Sequence, residues 1–237
     1  MTKLAEILTA GANALDISLS SGAFAAFDAY YHLLEDENRR QNLTALSGAD
    51  EIARLHFLDS LALLRFAAFD GARVIDVGSG AGFPGLPLKI AMPSIDLTLL
   101  DATDKRVQFM ENLCAELGIP AECLHSRAEE LSHESEQREL YDIAVSRAVA
   151  RLPELCELCL PLVKPGGVFL AMKSADSDEE IAESRNAIET LGAEFPPNCA
   201  DYTLPGGDAR RVVVIRKISP TPTQYPRRFA KIKRSPL

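Results

Sequence analysis

No stretch of the chain approaches the roughly 18 consecutive apolar residues that a membrane span needs, and the amino terminus carries Glu6 and Asp16 where a secretory signal would be basic and then apolar. The expectation is a soluble, cytoplasmic protein without membrane contact. Cysteine is sparse and odd in number, at Cys114, Cys123, Cys156, Cys159 and Cys199, which argues against a disulfide framework and for a reducing compartment. Cys156 and Cys159 make one Cys-x-x-Cys, but no second pair stands at metal-site spacing, so the two are read as helix-face core and no metal is expected. Internal repeats and low-complexity segments are also missing. What remains is 237 residues that are 47% hydrophobic and 25% charged, with mean hydropathy at zero. That is enough for one large core and a small appendage.

The formal net charge of -9 argues against indiscriminate nucleic-acid binding until it is divided along the chain. Residues 1–65 hold 5 basic and 9 acidic groups, residues 66–217 hold 15 and 25, and residues 218–237 hold 5 and none. This basic tail carries Arg227, Arg228, Lys231, Lys233, Arg234 and four prolines. It is expected to lie extended, either across a phosphate backbone or as a solvated, frayed end.

The first 65 residues show helical periodicity only: Leu4, Ile7, Leu8 and Ala12; Phe24, Phe27, Tyr30, Tyr31 and Leu34; Ile52, Leu55, Leu58 and Leu61. Gly11 and Ser20-Ser21-Gly22 punctuate the earlier helices, and Ser47 with Asp50 offers a cap for the third. From residue 72 short apolar runs alternate with helical stretches, the pattern of a mostly parallel sheet with helices on both faces. Strands are expected over 73–77, 96–100, 121–125, 143–145 and 168–172, with helices over 86–91, 104–117, 128–131, 153–163 and 178–191. Two last runs, 199–204 and 211–216, flank Pro205-Gly206-Gly207-Asp208 and should close the sheet as an antiparallel hairpin. The organisation expected is a helical cap (1–65), an α/β domain (66–217) and a basic tail (218–237).

The richest stretch is Val74-Ile75-Asp76-Val77-Gly78-Ser79-Gly80-Ala81-Gly82-Phe83-Pro84. A buried strand ends in alternate glycines that let backbone approach a ligand at the carboxyl edge of the sheet. The spacing differs from the G-x-G-x-x-G of pyrophosphate-binding dehydrogenases. Asp76, expected to point into the site, suits a cation better than a phosphate, which favours S-adenosylmethionine over NAD. Asp101 stands 23 residues after Gly78 at the next strand end, where an acid about 20 residues on meets ribose hydroxyls. Ser126-Arg127-Ala128-Glu129 ends the third strand where an adenine would lie, Ser146-Arg147-Ala148 ends the fourth, and Lys164-Pro165-Gly166-Gly167 is read as the turn before the fifth.

These residues, with Asn42-Leu43-Thr44, His56, Asp59-Ser60, Gly82-Phe83-Pro84-Gly85, Tyr225-Pro226-Arg227 and Pro236-Leu237, resemble the RsmG family, also called glucose-inhibited division protein B, from about residue 38 to the terminus. The resemblance implies a class I S-adenosylmethionine-dependent methyltransferase with a Rossmann-like, seven-stranded, mostly parallel sheet and a small helical cap. It implies methylation of N7 of guanine 527 in bacterial 16S rRNA, with the small ribosomal subunit as partner. By the same resemblance Gly78, Phe83, Asp101, Ala102, Thr103, Ala128, Glu129 and Arg147 would hold the cofactor. The tail departs from the family pattern, being more basic over residues 229–234.

Guanine N7 has an in-plane lone pair and no proton, so alignment rather than a general base should carry the reaction, and no catalytic acid or base is assigned. There is no Asn/Asp-Pro-Pro-aromatic motif for exocyclic amines and no Pro-Cys nucleophile for carbon. Arg147 can contact cofactor and base, or be a surface arginine paired with an acid. His56 and Asp59 can shape the RNA entrance or pack the cap. Further basic groups available to RNA are Arg39, Arg40, Lys173, Arg210 and Arg211. The tail is expected to add substrate affinity without touching the cofactor. A monomer is expected. Another methyl acceptor, or a non-catalytic cofactor-binding assembly factor, remains open at this point.

Overall fold

The structure is a computed structural model that describes residues 2–237. Chain order begins α1 (Lys3–Ala14), α2 (Ser21–Gln41), α3 (Gly48–Glu51), a π-helical turn over Ile52–Leu58, α4 (Asp59–Leu61) and a 3-10 turn over Ala62–Arg65. It continues β1 (Arg73–Val77), α5 (Gly85–Ala91), β2 (Asp96–Asp101), α6 (Asp104–Leu117), β3 (Glu122–His125), α7 (Ala128–Leu131), β4 (Tyr141–Arg147), α8 (Leu152–Cys159) and a 3-10 turn over Leu160–Leu162. The last elements are β5 (Val163–Ser174), α9 (Asp178–Glu183), α10 (Arg185–Thr190), β6 (Asn198–Thr203), β7 (Ala209–Arg216) and α11 (Phe229–Arg234).

The seven strands form one sheet in the order β3-β2-β1-β4-β5-β7-β6. β1 to β5 pair in parallel, and β7 runs antiparallel to both β5 and β6, as the terminal hairpin requires. Alternation along each strand divides the core between two faces. Val74, Ile143, Val145, Leu170 and Val212 pack with the N-terminal helices and α5. Ile75, Val77, Ala144, Phe169, Val213 and Ile215 pack with α8, α10 and Ile232 of α11. Among the described residues no helix is long and apolar enough to cross a membrane.

Several local expectations need correcting. Gly11 does not end a helix; it lies inside α1, where a Cβ would stand 2.1 Å from Leu58 Cδ1. The third stripe does not wind as an α-helix, so Leu55 is only half-buried while Ala53 and Phe57 are buried. Ser47 gives no side-chain cap. Instead Glu51 accepts its N–H at 3.1 Å, while Asp50 turns to Arg54. Lys164-Pro165-Gly166-Gly167 is a bulge inside β5, because Val163 already pairs with Tyr141 before the register shifts. The helix expected over 153–163 stops at Cys159, and the one over 178–191 breaks at Ser184, whose hydroxyl donates to Glu180 O. Cys156 and Cys159 are fully buried in α8, as read from the sequence.

The tail is neither frayed nor extended in solvent. Arg138 donates to Thr221 O, Pro222 O and Tyr225 O, and His133 Nε2 lies 3.0 Å from Pro226 O. Arg227 grips the fully buried Glu157 of α8 through Nε, NH2 and its backbone N–H at 2.6–2.8 Å. Lys217, also fully buried, donates to Glu139, Leu160 O and Thr221 Oγ1 at the start of this strap. Arg227 is therefore spent inside the protein, and of the tail's basic residues Arg228, just before α11, and Lys231, Lys233 and Arg234 within it face solvent.

Alanine is the better helix former by about 1 kcal/mol, so G11A would stabilise an isolated α1. With Leu58 fully buried, the overpacked contact should instead cost about 1–3 kcal/mol. Urea denaturation reads the sign directly.

Candidate active site

The loop after β1 is fixed from the end of β2. Gly78 N–H and Ser79 N–H both donate to Leu100 O at 2.8 and 3.0 Å, and Leu100 N–H returns to Ser79 Oγ at 3.1 Å. Asp101 Oδ2 accepts from Gly80 N–H and Oδ1 from Thr103 N–H, each at 2.9 Å. Gly78 has φ of +76°, and a Cβ there would meet Val149 Cγ2 at 2.4 Å. Both the backbone and the space therefore demand glycine at this position.

The N-terminal helices roof this loop. Tyr30 O–H donates to Ala81 O at 2.6 Å. Phe83 is stacked between Tyr30 (centroids 5.2 Å, 6°) and His56 (4.3 Å, 14°), and the Arg147 guanidinium stands 5.2 Å over the same ring. Arg147, with 15% of its side chain exposed, donates from NH1 to Leu55 O at 3.0 Å and to Asp59 Oδ2 at 3.3 Å. Its NH2 lies 2.8 Å from His56 Nδ1. Burial first, and then the Arg147 charge, hold the His56 pKa down to about 3. The ring is neutral at pH 7, so Nδ1 accepts from Arg147 and Nε2 carries the proton toward Thr44 Oγ1 at 2.8 Å. Burial pushes Asp59 up against the pull of Arg147, and its Oδ1 accepts from Tyr202 O–H at 2.8 Å.

Two adjoining cavities open along the carboxyl edge of the sheet. One, of about 430 Å³, includes Thr44, His56, Gly78, Phe83, Asp101, Ala102, Thr103, Arg106 and Arg147 in its wall. The other, of about 130 Å³, includes Gly78, Leu100, Asp101, Ala102, Arg127, Ala128, Glu129 and Phe229. Gly78, Asp101, Ala102 and Val149 belong to both. All eight residues expected from the sequence thus meet in one continuous groove.

Asp76 does not. It is fully buried, its Oδ2 accepting from Gly85 N–H at 2.7 Å while Oδ1 has no partner among the described residues. Burial pushes its carboxyl up to about 7, and it lines neither cavity. The acids facing the groove are Asp101 and Glu129. His56 of the π-helical turn and Asp59 at the start of α4 both bind Arg147, as the packing expectation has it, and His56 also lines the larger cavity. Lys173 and Arg211, offered for RNA, are bound to Glu180 and to Asp178 and Asp201 respectively. Arg106, Val149, Leu158 and Phe229 line the groove without having been singled out from the sequence. Val149 is 42% exposed and swung over Gly78 by Ala148, whose φ is +57°. Phe229 comes from the tail, and the spacing of Phe229 and Ile232 within a basic run was the available signal.

The chain matches the family model described as rRNA small subunit methyltransferase G over residues 23–197. It is 41% identical to the ribosomal RNA small subunit methyltransferase G of Acetivibrio thermocellus, covering 99% of this chain and 97% of that one. With the protein of the same name from Geobacillus kaustophilus it is 43% identical, covering 93% and 94%. Among solved structures, a provisional O-methyltransferase from Klebsiella pneumoniae aligns with a TM-score of 0.55 at 16% identity, over 81% of this chain and 90% of that one. A predicted O-methyltransferase from Agrobacterium tumefaciens gives 0.51 at 18%, over 71% and 86%. These two likenesses are of fold.

The low His56 pKa has a consequence for stability. Unfolded, the ring takes a proton below about 6.5; folded, it does so only near 3. Between those values the unfolded state binds more protons, so stability falls as pH falls through this window. The wild type should lose about 2 kcal/mol between pH 7 and 5 that H56Q does not lose. Urea titrations of both proteins at the two pH values measure the difference.

Proposed function

Because the chain belongs to the rRNA small subunit methyltransferase G family, we propose that it transfers the methyl group of S-adenosylmethionine to N7 of guanine 527 of bacterial 16S rRNA, acting as a cytoplasmic monomer on the small ribosomal subunit. The observation that carries this reading is the groove itself, which gathers Gly78, Phe83, Asp101, Ala102, Thr103, Ala128, Glu129 and Arg147 along one edge of a methyltransferase-type sheet. The monomer reading rests on surface chemistry: Val149 and Ile218 are the exposed large apolar side chains among the described residues.

The residues fit the cofactor. Gly78 leaves room for backbone to meet a ligand, and the buried carboxylates Asp101 and Glu129 suit a ribose diol and a cationic group without phosphate. Asp101 has lone pairs left after its two backbone bonds and so can accept from hydroxyls without releasing the loop. When bound, the cofactor supplies an electrophilic sulfonium methyl group.

The chain's own residues bind and orient. Guanine N7 brings its lone pair and sheds no proton on attack, so no side chain has to act as base. The site agrees: His56, the histidine in its wall, is neutral at pH 7, with its Nδ1 lone pair taken by Arg147 and its one N–H directed at Thr44, so neither ring nitrogen is free to serve as a base. Rate enhancement then comes from holding nitrogen, methyl carbon and sulfur in line, which proximity alone can make worth about 7–11 kcal/mol.

Incubation with radiolabelled S-adenosylmethionine and unmodified 30S subunits should label one guanine in the decoding region, mapped by cleavage at N7-methylguanine. Label on another acceptor, or none despite cofactor binding, would overturn the proposal. D101A removes a charged acceptor worth about 1.5–3 kcal/mol and loosens the loop, so cofactor affinity in calorimetry should fall about tenfold or more.

A further inference from the structure

The smaller cavity is a mainly apolar slot of about 130 Å³. Leu100 and Leu158 form apolar parts of its lining, Ala128 and Glu129 start α7 beside it, and Phe229 closes a wall from the far end of the chain. Phe229 is half-buried. The Arg127 guanidinium stands 5.1 Å from its ring centroid. Nothing about this placement is loose. The strap that delivers Phe229 is held one residue earlier but one by the Arg227–Glu157 pair, before that by Arg138, and after it by Ile232, which is fully buried.

If Asp101 takes the ribose, the attached base must run toward β3, because β3 is the neighbour of β2 on that side. The slot lies there, at 130 Å³ and with little polar lining. A flat heteroaromatic ring in an apolar slot gains most from a second ring in van der Waals contact. We propose that Phe229 is a cofactor-binding residue, the aromatic wall against which the adenine of S-adenosylmethionine packs, and that the C-terminal strap is thereby part of the cofactor site. The proposal rests on the reading of the groove given above. It replaces the expectation that the tail leaves cofactor affinity untouched. It also gives α11 two working faces, Phe229 and Ile232 inward and Lys231, Lys233 and Arg234 outward.

The test uses the full-length protein and S-adenosylhomocysteine as the probe, with affinity read by calorimetry and folding by thermal melting. F229A should bind roughly tenfold or more weakly, the range found when an aromatic partner of a base is truncated. A K231A/K233A double variant, altered on the outward face alone, should bind as the wild type does. The chain has no tryptophan, so F229W places a single indole in the wall. It should retain affinity within a few-fold, and its emission should be quenched as the probe saturates the site. F229A binding like the wild type while D101A fails to bind would overturn the proposal, as would an F229W emission unchanged at a saturation that calorimetry has established. If D101A and F229A both bind normally, it is the groove reading that falls, and this proposal with it. Should F229A not fold, the F229W emission decides alone.

Discussion

Three glycines after β1 cannot hold a ligand-facing loop by themselves, because each adds conformational freedom that the folded state has to remove. The hydrogen bonds from β2 remove it. Leu100 O takes two consecutive N–H groups, and the Asp101 carboxylate takes a third on its Oδ2. Asp101 is therefore both a wall of the groove and the anchor of the loop opposite it. Such a site is built before any ligand arrives, and the entropy of ordering it is already spent when binding begins.

The helical cap supplies the second support. Tyr30, Phe83 and His56 form a continuous stack, closed by a guanidinium that is itself tied to the backbone of Leu55 and to Asp59. Asp59 is in turn tied to Tyr202 on β6, at the opposite edge of the sheet. A buried ion pair of this kind adds little net stability but is costly to break on one side. Its effect is to fix which way the end of β4 leaves the sheet. Ala148 then turns into the left-handed region and Val149 lands over Gly78, on the boundary between the two cavities.

The sheet, its terminal hairpin and the acid at the end of β2 were legible because each follows from short-range pattern: alternation, turn residues, and the distance from one strand end to the next. Asp76 was misplaced for a reason also present in the pattern. It lies two residues from Val74, hence on the face that the cap covers, and a carboxyl there cannot look along the sheet edge. The π-helical turn was not legible, since an apolar stripe at helical spacing does not report the extra residue in the turn. Neither was the tail. Five basic residues outweighed Phe229 and Ile232, and Glu157, the buried partner that draws Arg227 in, is one of two glutamates in α8, with nothing in the pattern to mark it as the buried one.

The two faces of the sheet now have different tasks. The larger cavity is roofed by the N-terminal helices on one face, and the smaller is closed by the C-terminal strap that docks on the other. One groove is thus completed by the two ends of the chain. With Phe229 against the adenine, anything that fixes the strap from its basic outer face also fixes the wall inside, and a bound adenine fixes the strap for whatever meets it outside. Linkage makes those two effects equal: an RNA that strengthens cofactor binding by a given factor through the strap must itself be bound more tightly, by that factor, when the cofactor is present. The sequence places its longest acid-free segment where such a coupling would act, against an otherwise acidic protein that has few other unpaired cations to offer a phosphate backbone.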